Sequence, residues 1–189
     1  MKKVPISIII DDPTPVISVF YVHEPARVTK DGRDVEKYIP NSMLFEFCDI
    51  VERYGIKGKF SLVPSPGNMG DIVNGIEGVD DVEMHEWLDT VKKRITPYFG
   101  IGPEMLTHHM AVDLATGKDL PERESVWSQT QDRNTLAPYI AKALSLLKEA
   151  GFDSCGVTSP WNFGFHVEDE YAAAISKAVQ YVYGKKKSR

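Results

Sequence analysis

The chain is poor in cysteine, has no long apolar run and carries no surplus of positive charge. Cys48 and Cys155 are its two cysteines, too few for a disulfide framework or a four-thiolate zinc site. No apolar stretch approaches the roughly 20 residues that a membrane span needs, so a membrane partner is not expected. Lysine and arginine total 22 against 27 acidic residues, a net charge of −5, which argues against a nucleic-acid partner. The glycines between Gly67 and Gly78 include no Gly-Lys-Ser/Thr, which excludes a Walker-type phosphate loop. Lys2 and Lys3 precede the apolar stretch Val4 to Ile10. It is short for a signal-peptide core, Asp11-Asp12 closes it, and no small-residue cleavage site follows. A cytoplasmic location is the expectation.

What remains suits one globular domain spanning 1–189: 42% of residues are hydrophobic and 26% charged, enough for a real core. Short apolar runs alternate with helical periods. Ile6 to Ile10 reads as a strand buried on both faces, and Val16 to Val22 as a second β-rich run. Asn41 starts a helix to about Tyr54, closed by Gly55. Lys59 to Val63 is a third strand, stopped by Pro64-Ser65-Pro66-Gly67. Asp80 or Asp81 opens a helix through Ile95. Gly100-Ile101-Gly102-Pro103 reads as a break before the apolar segment Met105 to Val112. Leu114 to Gln131 reads as a polar loop. A helix covers about Asn134 to Ala150, a short strand Ser154 to Val157, and a last helix Glu168 to Tyr183. Strand and helix in alternation predict an α/β fold with a parallel sheet. The strands fall short of eight, so a distorted or incomplete (β/α) barrel is expected. Functional residues on such a sheet gather at the carboxyl ends of the strands.

Asp11 and Asp12 end the first strand. Two adjacent carboxylates repel unless a cation or a shared proton relieves them; a divalent metal on one leaves the other ionised as a base. The plain alternative is Asp12 capping a turn before Pro13. Thr107-His108-His109-Met110-Ala111-Val112-Asp113 is the second signal. His109 and Asp113 are four apart, as a helical turn or tight loop requires of two ligands on one ion, with one packed and one exposed histidine as the alternative. Asp, His and Asp form a set for zinc or a harder divalent ion. The third signal is Ser159-Pro160-Trp161-Asn162, where an aromatic face can stack on a sugar or simply cover the sheet end. His23 and His166 lie in loops, each an acid, a ligand or an ordinary loop histidine.

The order of these motifs resembles the polysaccharide deacetylase (NodB-homology) superfamily, in a divergent member. Four segments carry the likeness: Ser7 to Asp12, Tyr54 to Pro64, Glu104 to His109, and Ala150 to Trp161. The resemblance implies a distorted (β/α) barrel of the glycoside hydrolase/deacetylase type and hydrolysis of N- or O-acetyl groups on a carbohydrate or other acetylated small molecule. It also implies a divalent metal, zinc first, with cobalt, nickel or manganese as alternatives. It makes Asp11 the general base, Asp12 a metal ligand and one of His108 and His109 the next. The family's His-x3-His counted from His109 reaches Asp113, which gives a third ligand; counted from His108 it reaches Val112, which cannot bind metal. His166 or His23 then stands as the acid, and Pro160, Trp161 and His23 shape the substrate groove. An arginine usual before the proline loop is absent and Thr14 to Pro40 is longer than in the family. These departures keep two alternatives open: a glycan-binding domain without catalysis, and another metal-dependent carbohydrate hydrolase on a related barrel.

Overall fold

A computed structural model describes residues 6–18, 31–32, 37–154 and 156–184. His23, Cys155, Lys185–Lys187 and most of the expected strand over Val16 to Val22 lie outside them.

Three parallel strands form the main sheet in the order β1 (Ile8–Ile10), β2 (Gly58–Leu62), β5 (Phe99–Pro103). The register aligns Ile9 with Lys59 and Lys59 with Gly100. A parallel bridge between Glu104 and Thr158 adds a fourth chain segment beyond β5; this is where Ser154 to Val157 was expected to pair. Two small antiparallel pairs complete the β-structure: β3 (Gly70–Asp71) with β4 (Gly75–Ile76), and β6 (Met110–Asp113) with β7 (Lys118–Arg123). The protein is thus mixed α/β, and among the described residues no sheet closes into a barrel.

The helices follow from local chemistry. Helix α1 (Asn41–Tyr54) ends where Gly55 turns left-handed at φ 61° and donates its N–H to Val51. Asn41 does not cap it: its side-chain amide reaches across to Glu83 and Glu86, and Pro40 holds the cap position. Helix α2 (Asp81–Thr90) is capped by Asp80, whose carboxylate accepts from the amides of Val82 and Glu83. It runs on as a π-turn over Val91–Ile95. Helix α3 (Glu124–Trp127) is one turn; α4 (Arg133–Glu149) is capped by Asp132 in the same way as α2, and α5 is Glu168–Tyr183. No helix among the described residues is long and apolar enough to cross a membrane.

Three expectations are corrected. The first strand is not buried on both faces: β1 is an edge strand of the described sheet, and Ile8 and Ile9 are 39% and 60% exposed. Gly100-Ile101-Gly102-Pro103 is no break but lies within β5, flanking β2. Gly102 has a packing reason: a Cβ there would stand 3.2 Å from the Gly156 carbonyl oxygen, tighter than ordinary contact. Leu114 to Gln131 is not a loop but most of a hairpin and a helical turn, β7 and α3.

Two apolar clusters flank the sheet. One joins α1, α2, β2 and β5 around Val51, Phe60, Leu62, Trp87 and Ile95. The other lies between α4 and α5 around Leu136, Ile140, Leu144, Ala174 and Ala178. The segment after β5 bridges them, Leu106 in the first and Met105 in the second.

Candidate active site

The carboxyl ends of β1 and β5 and the loop after Thr158 open on the same side, as the parallel register requires. Asp11 and Asp12 follow β1, Glu104 follows β5 directly, His108 comes four residues later, and Trp161 tips the loop after the Glu104–Thr158 bridge. A backbone bond from the Val63 amide to the Pro13 carbonyl, 3.1 Å, holds the aspartate turn beside β2.

Glu104 is the hub. It is 2% exposed. One carboxyl oxygen, Oε2, accepts the Asp12 amide N–H at 2.8 Å; the other lies 3.4 Å from His108 Nε2. His108 Nε2 is also 3.9 Å from Asp12 Oδ2, and the imidazole is largely buried while the Asp12 carboxylate is 43% exposed. The Trp161 ring lies against the His108 ring, centroids 4.7 Å apart, and is itself 56% exposed. Asp11 is exposed, and its carboxyl group is near enough to raise that of Glu104.

This packing perturbs the titrating groups. Burial pushes the Glu104 carboxyl above its usual range against the pull of His108 and the Asp12 amide, with Asp11 adding to the rise. Burial works to lower the His108 pKa, but the hydrogen bond to Glu104 and the negative charges of Asp12, Glu104 and Glu124 outweigh it and hold the imidazole above its ordinary value.

Backbone conformation marks the same place. Six non-glycine residues have left-handed φ among the described residues, and Asp12 (43°), Met105 (51°), His108 (56°) and Trp161 (47°) are four of them. Each such residue costs on the order of 1–3 kcal/mol and persists only where its surroundings hold it there. Asp12, His108 and Trp161 thus gather three of these strained residues in one place.

Of the residues that the sequence singled out, Asp11, Asp12, His108 and Trp161 come together. His109 is buried, its amide bonded to Thr107 Oγ1 at 3.0 Å and its carbonyl accepting from the Glu124 amide at 2.9 Å. His109 and Asp113 are not on a helical turn: residues 110–113 form strand β6, so their spacing of four does not by itself bring them to one ion. Asp113 instead caps the hairpin turn, its oxygens accepting from the Ala115 amide and the Thr116 hydroxyl at 2.9 Å each; those bonds hold its carboxyl below the usual range. Pro160 is buried beneath the Trp161 turn. His166 is exposed on the 3-10 turn Phe165–Val167, its ring edge against Phe165. His23 lies outside the described residues.

Sequence reasoning missed two residues. Glu104 carried a signal, the Glu-x-x-x-His spacing to His108, but was read only as part of a motif. Glu124 carried none: it sat inside the supposed loop, yet it is fully buried.

Among the described residues, no group of three or more His, Cys, Asp and Glu side chains is arranged to hold a metal ion. Asp12 Oδ2 and His108 Nε2 stand 3.9 Å apart, with Glu104 Oε1 3.4 Å from the same nitrogen. No family model, no curated protein and no solved structure matches the chain.

Proposed function

We propose that the chain is a hydrolase that removes N- or O-acetyl groups from a carbohydrate, on a distorted (β/α) barrel like that of the polysaccharide deacetylases. The observation that carries the reading is the meeting of Asp12, Glu104 and His108 at the carboxyl ends of two parallel strands, two of them, Asp12 and His108, with left-handed φ. Asp12 and His108 would hold a divalent ion, zinc first. Such an ion polarises an acyl carbonyl and lowers the pKa of water from about 15.7 toward about 7.

The rest is the work of the chain. Glu104 orients both donors, accepting from the Asp12 amide and facing the imidazole. Asp11, exposed at the mouth, takes the proton of the attacking water. Trp161 offers its exposed face to the sugar. His166, exposed near the same loop, is the candidate to protonate the departing group.

The test is acetate release from acetylated chito-oligosaccharides and acetylated xylan, with metal content measured on the same samples. Asp12→Ala and His108→Ala are expected to lose both bound metal and acetate release, His109→Ala to keep most of the metal, and Asp11→Asn to keep metal while turnover drops by about 10²-fold or more. Full turnover in Asp11→Asn overturns the base assignment. Sugar binding without acetate release, at any metal loading, overturns the hydrolase and leaves the glycan-binding reading, which the exposed Trp161 favours.

A further inference from the structure

We infer that Glu124 is a positioning residue: its buried carboxylate gathers the backbone N–H groups of residues 106–108 and so fixes the left-handed turn that aims His108 at Asp12 and Glu104. The inference rests on the reading of His108 as a working group of the site.

The geometry is specific. Glu124 Oε1 accepts the amides of Leu106 at 3.2 Å and Thr107 at 2.8 Å, and the Tyr139 hydroxyl at 2.6 Å. Its Oε2 accepts the His108 amide at 2.9 Å. Three consecutive amides converging on one anion make a nest, and the left-handed φ of His108, 56°, turns the chain away directly after the last of them. The other side of the segment is clamped too: the carbonyls of Leu106 and Thr107 accept from the amides of Ser65 and Gly67 at 2.9 Å each. Glu124 donates its own amide to the His109 carbonyl at 2.9 Å, which ties α3 to the far end of the turn. A carboxylate with no exposure is costly to bury; hydrogen bonds alone to a neutral partner could cap this loop. An acidic residue makes sense where one group must accept from four donors at once, which no amide or hydroxyl side chain does. The strain at His108 is thereby held by a group bonded to its backbone amide.

The experiment uses the metal-free full chain and NMR. In wild type, the Trp161 ring 4.7 Å away displaces the His108 ring protons by its ring current. Glu124→Gln cannot accept from all four donors. It is expected to speed hydrogen exchange of the Leu106, Thr107 and His108 amides by at least about tenfold, with the β2 amides of Phe60 and Leu62 unchanged, and to collapse the displacement of the His108 ring protons. Trp161→Ala is expected to remove the displacement and leave the exchange alone. Unchanged exchange and unchanged ring shifts in Glu124→Gln overturn the inference. If Glu124→Gln does not fold cooperatively, Tyr139→Phe, which removes one donor, is expected to move both signals in the same direction by a few-fold in rate; no movement overturns it. Acetate assays separate the two levels: wild type that releases no acetate, with the NMR effects present, fails the hydrolase and keeps the positioning role.

Discussion

Glu124 is a carboxyl group with no solvent exposure, and burial pushes its pKa up to about 7 against the pull of Tyr139 and the Thr107 and His108 amides. The sign of the consequence follows from linkage. A folded-state pKa above the unfolded value, near 4.5, means that the folded protein binds the extra proton; the stabilisation is fully present below pH 4.5 and is lost as pH rises toward 7. A shift of this size corresponds to about 3 kcal/mol. His108 and Glu104 are raised as well and act in the same direction, so wild type alone does not isolate Glu124. The difference between wild type and Glu124→Gln does. Urea unfolding at several pH values between 4.5 and 8 is expected to show wild type losing stability with rising pH more steeply than the variant. Parallel curves would mean that Glu124 is already ionised throughout, and that its four donors offset its burial.

At the level of elements, the sequence was legible where local chemistry decides. Asp80 opens its helix by accepting two amides, Gly55 closes α1 in the left-handed region, and Glu168–Tyr183 is a helix over the whole span that its pattern predicts. It was illegible where tertiary contact decides. Gly100 and Gly102 look like a break, yet parallel pairing to β2 keeps them extended. The burial of Glu124 depends on amides 16 to 18 residues away, which no periodicity records. His109 looked the better ligand because of its spacing to Asp113; the choice turned on the backbone between them being a strand. Glycine also carries the β1–β2 contact. A Cβ on Gly58 would fall 1.8 Å from the Ile8 carbonyl oxygen, whereas one on Gly100 meets nothing within 4 Å. Gly58→Ala must therefore push β1 off β2, taking the Asp11-Asp12 turn with it. It is expected to cost about 1–3 kcal/mol and to lower acetate release out of proportion, whereas Gly100→Ala is expected within about 0.5 kcal/mol of wild type. Equal effects of the two, by urea unfolding and assay, would mean that β1 is not anchored through this contact.

For the whole molecule, the site sits between two apolar clusters rather than on either one. Met105 is buried in the α4–α5 cluster and Leu106 in the cluster around the sheet, and Trp127 packs partly against both. The chain turns inward between these adjacent residues, so neither cluster can unpack without dragging the His108 turn. Tyr139 and Leu136 on one helix serve different clusters, which couples α4 to both. A single cooperative transition is the physical consequence. In a Trp161→Phe background, tryptophan fluorescence reports Trp87 in the sheet cluster and Trp127 at the border, while far-UV circular dichroism is weighted toward the long helices α4 and α5. The two signals are expected to share one urea midpoint. Ala174→Leu, which overfills the fully buried face of α5 against α4, is expected to lower that midpoint by about 1–3 kcal/mol equivalent in both signals together. A dichroism transition that moves to lower urea while the fluorescence stays would show that the helical pair melts on its own, and the site would then rest on the sheet cluster alone.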